Sequence, residues 1–431
     1  MTDGSGDASW LLGMEGFVVL SMTEEDGEVY LLVETTKDLV GCPRCGVRAV
    51  GHGRSQVSVR DLPSAGRAVR LVWRKRRWIC NDGDCPAKSF TEQSVQVEDS
   101  LTRRAAREIC RAVGQDGSTV AQLARQFGVG WEAAMACVRR HGRPLVDDPA
   151  RTADVVSLGI DEHKMLSANA EHHTLYATSF VDIVGGVLLD VVRGRNADDV
   201  AYWLFGAGGT WRQRIDSVAI DPHRGYHKGI VGALGHAIVT VDCFHGVKLA
   251  NTMVDDVRRR VQQESLGHRG YKDDPLYRTR RLMTRGFERL SARQTTKLFA
   301  ALEQGDPDGE VGAAILGKEL LRAMYAAKSL RDAHWRLVRF YTHAADVDVP
   351  ELTRLAKTVS AWETEILNYH VTGISNGPVE AQNLVTEKIR RVAHGMRNFE
   401  NYRLRLLLHS GVQWDTRRTA RIRGRSPRLI A

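Results

Sequence analysis

The chain has 431 residues, of which 43% are hydrophobic and 26% charged, with a formal net charge of +9 and a pI of about 9.3. This composition excludes a chain disordered throughout, and the length fits several domains of roughly 100–200 residues each. No apolar run reaches the ~18 residues that cross a bilayer, so no membrane partner is expected. Asp3 and Asp7 precede the first apolar cluster with no basic residue among them, unlike a secretory leader. The expected location is therefore the cytoplasm, where disulfides are rare, and the seven cysteines read as thiols or metal ligands.

Residues 1–41 hold nine acids and one lysine and read as an acidic N-terminal segment. Residues 42–95 reverse the sign and carry two cysteine pairs, Cys42 with Cys45 and Cys80 with Cys85. Four thiolates in two tight turns suit a closed tetrahedral Zn²⁺ site, and a β module built on two hairpins is expected around them. A redox Cys-x-x-Cys pair is the competing reading, but the βαβ context it needs is absent. Between the pairs, Arg74, Lys75, Arg76 and Arg77 lie between Trp73 and Trp78. A strand there shows arginines on one face and apolar residues on the other. Arginine pairs bidentately with phosphate, so a nucleic acid is the first partner to consider.

Residues 96–148 read as helical and basic. A helix capped by Ser118 runs to Phe127, Gly128–Gly130 form a turn, and a second helix starts at Trp131 and carries Arg139 and Arg140. An ordinary pair of antiparallel helices competes with a helix-turn-helix DNA reader. The neighbouring basic module favours DNA, with the second helix in the major groove.

From 149 to 250 the texture is that of a mixed α/β sheet. Apolar runs end at Asp161, Asp182, Asp221 and Asp242, and such sheets place chemistry at strand ends. Residues 251–370 are helical, with basic faces that read as solvated. Within them, Gly312–Lys318 mimics a phosphate loop, but Glu319 stands where a hydroxyl must hold Mg²⁺ and no strand precedes it. Residues 371–412 open with a helix start at Ser375 or Asn376 and Pro378, and present Glu380 ahead of Lys388, Arg390 and Arg391. The tail, 413–431, holds six arginines from Arg417 onward.

The cysteine pairs with Trp78-Ile79-Cys80, the run Gly159-Ile160-Asp161-Glu162, Arg193-Gly194-Arg195 and Asp221 after its strand stand in a familiar order. So do Asp242–Leu249, Ser375–Asn383 and His394–Phe399. In these motifs, from about residue 40 to about 412, the chain resembles bacterial insertion-sequence transposases of the ISL-three family. The resemblance implies a multidomain α/β protein. A ribonuclease H-like core (149–250 and 371–412) would be split by a helical insertion (251–370), behind the zinc-binding β module and the helix-turn-helix. It implies Asp161, Asp221 and Glu380 as catalytic carboxylates holding Mg²⁺ or Mn²⁺. Two such ions about 3.5–4 Å apart serve phosphodiester cleavage, and Asp161 would bridge them. Water would attack first, and the freed 3′-hydroxyl would then attack target DNA.

The partners implied are double-stranded DNA, as element ends and target, and further copies of the chain on that DNA, at the nucleoid. Glu162 and Asp182 are rivals read as supporting groups. Asp242 and His245 either orient a phosphate or the insertion, or serve as strand end and helix cap. Cys243 departs from the bulkier polar residue expected there. A DNA-binding regulator that keeps the fold without catalysis is the alternative, and a nuclease without strand transfer is a third reading.

Overall fold

A computed structural model describes residues 9–10 and 12–414. Contacts divide it into two units, one reaching Asp148 and resuming at Glu400, the other running Pro149–Phe399. Residues 1–8 of the acidic segment and the arginine tail from 415 lie outside the described residues.

In the first unit, β1 (Phe17–Glu25) and β2 (Glu28–Thr35) form a hairpin turned by Asp26-Gly27. Both turn residues have positive φ, 51° and 76°, as a tight two-residue hairpin turn requires. β3 (Ala49–Ser64) and β4 (Arg67–Cys80) form a second hairpin, turned by Ala65-Gly66 in the same way. Adding β5 (Ser89–Thr91), β6 (Val97–Glu98) and β7 (Leu101–Thr102) gives a seven-stranded sheet ordered β1-β2-β4-β3-β7-β6, with β5 on β4.

Strand alternation sends Val69, Leu71 and Trp73 of β4 inward against Val19, Val33 and Val59. Each such side chain contributes about 1.5–3 kcal/mol on full burial. The acidic segment is thus no appendage. Its β2 pairs in parallel with β4, inside the sheet.

Three helices follow: α1 (Arg103–Gly114), α2 (Val120–Phe127) and α3 (Trp131–Val146). The cap of α2 is Thr119, whose hydroxyl accepts from the Gln122 amide, rather than Ser118. Ser118 instead donates its own amide to the Ala112 carbonyl (3.0 Å) in the turn after α1. Gly128 ends α2 at φ 63°. The last helix of the chain, numbered α16 in chain order (Phe399–Ser410), packs here. A Cβ on Gly142 of α3 would lie 2.8 Å from Leu408, and His409 Nδ1 meets the Gly114 carbonyl at 2.6 Å. The segment 371–412 is therefore divided between the two units, because Leu404, Leu407 and Leu408 are buried in the first.

In the second unit, β8 (Ser157–Leu166), β9 (Leu175–Asp182) and β10 (Val187–Arg193) form an antiparallel meander. After α4 (Ala197–Gly206) and α5 (Gly209–Arg214) come β11 (Ser217–Ile220), α6 (Arg224–Ala233) and β12 (Ile238–Val241). The sheet order is β10-β9-β8-β11-β12, with β11 parallel to both β8 and β12. Leu158, Ile160, Phe180, Val218 and Ile220 are fully buried, and Phe180 stacks on Trp203.

Helices then run from α7 (Cys243–Leu266) through α8 (Pro275–Met283), α9 (Ala292–Gly305), α10 (Glu310–Tyr325) and α11 (Leu330–Asp346). They continue through α12 (Pro350–Ala361), α13 (Glu363–Leu367) and α14 (Tyr369–Thr372). Helix α15 (Gly377–Val392) returns to the sheet, meeting β8 and β9. The loop-like run Gly312–Glu319 lies inside α10, and the buried Lys318 donates to the carbonyls of Met283, the last residue of α8, and of Arg285 just after it. No described helix is long and apolar enough to cross a membrane.

Candidate active site and zinc ribbon

Asp161 sits within β8 opposite Ser179, further from the strand end than its sequence context suggests. Alternation along β8 puts Gly159, Asp161 and His163 on the face that α15 covers. Gly159 lets the helix in, since a Cβ there would lie 2.2 Å from Val379 Cγ2. The Asp161 carboxylate is buried, accepts from Glu162 N at 2.8 Å and from Asn383 Nδ2 at 2.7 Å. Burial pushes its pKa up to about 7, helped by the charges of Asp221 and Glu162.

Asp221 follows β11 directly and pairs with His245 Nδ1 at 2.8 Å. That hydrogen bond raises the His245 pKa. Asp242 ends β12 and caps α7, accepting from Phe244 N at 3.0 Å and from Asn376 N at 2.9 Å. It is thus a strand end and a cap, while His245 faces the second acid. Glu380 stands in the first turn of α15, its pKa raised by burial and by Asp242 and Asp221.

The three acids come from β8, the end of β11 and α15, and Asp221 lies close enough that its charge raises both Asp161 and Glu380. Among the described residues, however, only the four cysteines bring three or more ligand atoms within 4.8 Å of one another. Glu162 alternates onto the opposite face of β8, and Asp182 is spent on the β9–β10 turn, accepting from Val184 N and Gly185 N. The chemistry-bearing contacts that the sequence reading missed are the amides of Asn376 and Asn383. Their sequence signals are their place in the Ser375–Asn383 motif and a spacing of four and three residues from Glu380, which places all three on one helix face.

The thiols of Cys42, Cys45, Cys80 and Cys85 converge, with Sγ–Sγ separations of 3.8 Å (Cys42–Cys85) and 3.4 Å (Cys45–Cys80). Sulfurs about 2.3 Å from one tetrahedral Zn²⁺ stand about 3.8 Å apart, so the donor set fits zinc in both softness and spacing. Amides of Arg44 and Cys45 bring the Cys42 thiol down to about 7, toward the thiolate that zinc takes. Cys110, Cys137 and Cys243 stand apart from this cluster, and burial pushes the pKa of each up.

The basic residues are less available than their sequence suggests. Glu34 of β2 pairs with Arg54 (2.9 Å), Arg74 (3.2 Å) and Arg76 (3.5 Å), and Glu28 pairs with Arg60 and Arg70. Lys75 lies 4.6 Å from the Trp73 ring centroid, and Arg77 is exposed. On α3, Arg140 pairs with Asp99 (2.8 Å) and Glu98 (3.5 Å), and Arg139 donates to Asn401 (3.2 Å).

Comparison with known proteins agrees with this layout. A family model described as a transposase of the ISL3 type matches residues 158–406, more than half the chain. A second, described as the zinc-finger of the transposases IS204, IS1001, IS1096 and IS1165, matches residues 38–85 and so spans the four cysteines. The chain is 25% identical over 410 residues to the transposase for insertion sequence element IS1001 of Bordetella parapertussis, covering 91% of this chain and 95% of that protein. An α/β domain of this kind behind a zinc finger is a DNA transposase. The chain belongs to the ISL3 transposase family.

Proposed function

We propose that the chain cuts and joins DNA by DDE chemistry, with Asp161, Asp221 and Glu380 as the catalytic carboxylates of a ribonuclease H-like core. One observation carries this reading. Carboxylates from β8, the end of β11 and α15 are gathered so that burial and the charge of Asp221 raise both Asp161 and Glu380. Such a surplus of negative charge calls for a cation, and hard oxygen donors suit Mg²⁺ or Mn²⁺. When bound there, the metal stabilises charge on the attacking and leaving oxygens of the phosphodiester. Asp161 is held in place by Asn383 and the Glu162 amide, and His245 holds Asp221. The helices α7–α14 interrupt this core as an insertion.

DNA ends would be held by the zinc ribbon and by α2–turn–α3 acting as a helix-turn-helix. Lys75, Arg77, Arg139 and Arg140 would contact phosphate, with Arg74 and Arg76 exchanging Glu34 for phosphate. The protein would act as a homo-oligomer on two ends, at the nucleoid in the cytoplasm.

The test is cleavage of an oligonucleotide carrying the insertion-sequence end. Asp161→Asn, Asp221→Asn and Glu380→Gln are expected to lower cleavage at least about 100-fold while leaving DNA affinity unchanged. Mg²⁺-dependent cutting at the original rate by any of the three removes that residue from the catalytic set.

A further inference from the structure

We propose that Asn383, together with Asn376, is a positioning residue that sets the catalytic carboxylates for metal binding. The inference rests on the reading of Asp161, Asp221 and Glu380 as metal-holding acids. Asn383 Nδ2 donates to Asp161 Oδ2 at 2.7 Å, and Asn376 Nδ2 donates to Asp221 Oδ1 at 3.4 Å. Glu380 lies between them on α15, four residues after Asn376 and three before Asn383, so the three share one helix face. A single helix therefore supplies one acid and a tether to each of the other two, although those acids stand 222 and 155 residues earlier in the chain.

Two further observations separate this role from simple packing. First, α15 is already fastened without Asn383. Val379 fills the space over Gly159, Gln382 Nε2 donates to the Gly186 carbonyl (2.8 Å), and Asn376 N donates to Asp242 (2.9 Å). Second, the Oδ1 atoms of Asn376 and Asn383 are buried and accept no hydrogen bond from the described residues. A buried acceptor without a donor is costly, about 1–3 kcal/mol. A water bound to metal is a strong donor of the kind both acceptors require. Outer groups that orient metal-binding carboxylates in this way commonly govern metal affinity about 10–100-fold.

The experiment measures Mn²⁺ binding by electron paramagnetic resonance on the full-length protein, with no DNA cleavage involved. Asn383→Ala is expected to weaken Mn²⁺ binding about 10–100-fold with an unchanged melting temperature in metal-free buffer. Asn383→Gln, which keeps the donor, is expected to recover most of that loss. Unchanged Mn²⁺ affinity in Asn383→Ala, while Asp161→Asn abolishes binding, overturns the positioning role and leaves the acids in place. A loss in Asn383→Gln equal to that in Asn383→Ala also overturns it, because shape rather than the donor then matters. Wild-type affinity in Asp161→Asn removes the underlying reading itself, and this inference with it.

Discussion

At the scale of single residues, Asp161 carries the largest electrostatic cost in the candidate site. Its pKa rises from 3.8 to about 7, so the folded chain holds a proton there that the unfolded chain has already released. Wherever the native state binds more protons, stability falls as pH rises. Without divalent metal, this one group therefore favours folding fully below about pH 4. That contribution is lost progressively up to about pH 7, where the native carboxyl ionises. Asp161→Asn removes the loss. Its second unit is expected to melt above the wild type at pH 8 in metal-free buffer, by on the order of 2–4 °C for each kcal/mol recovered. The difference should vanish at pH 4. Equal melting curves at both pH values would mean that the carboxylate is solvated rather than buried.

At the scale of elements, β2 changes the meaning of β4. Glu34 accepts three arginines across the sheet, so much of the positive charge that marks β4 in the sequence is matched by its neighbouring strand. If phosphate competes with Glu34 for Arg74 and Arg76, Glu34→Gln should tighten DNA binding and steepen its salt dependence by about one unit in the slope of log K against log salt. Titrations at several salt concentrations read this directly, and an unchanged slope would take these arginines out of the interface. α15 is the corresponding element of the catalytic unit. Gly159 admits it to the sheet, and its polar face then meets Asp161 and Asp221 together.

At the scale of the whole molecule, the parts with local chemical signatures were legible in the sequence. The cysteine pairs declare their partners by spacing, and β9, β11 and β12 of the second unit lie where apolar runs end in acids. Long-range pairing was not legible. Nothing in residues 17–35 says that an acidic hairpin will lie beside a basic strand 40 residues on, although its Asp26-Gly27 turn was a usable local sign. Likewise, Leu404–Leu408 read only as a helix, and which unit buries it depends on the small surface that Gly142 leaves on α3. The Asn383–Asp161 bond spans 222 residues, and the motifs that hold the two residues give no local sign that they pair.

The central claim is that Asp161, Asp221 and Glu380 hold the metal that serves DNA cleavage, and exchanging a hard ligand for a soft one tests it most directly. Glu380→Cys replaces oxygen by sulfur, which favours softer ions over Mg²⁺. Single-turnover cleavage of an end-bearing oligonucleotide by this variant should be lost in Mg²⁺ and regained at least in part in Mn²⁺ or Cd²⁺, with the wild type active in Mg²⁺ throughout. Cleavage by Glu380→Cys at the wild-type rate in Mg²⁺ would contradict the account.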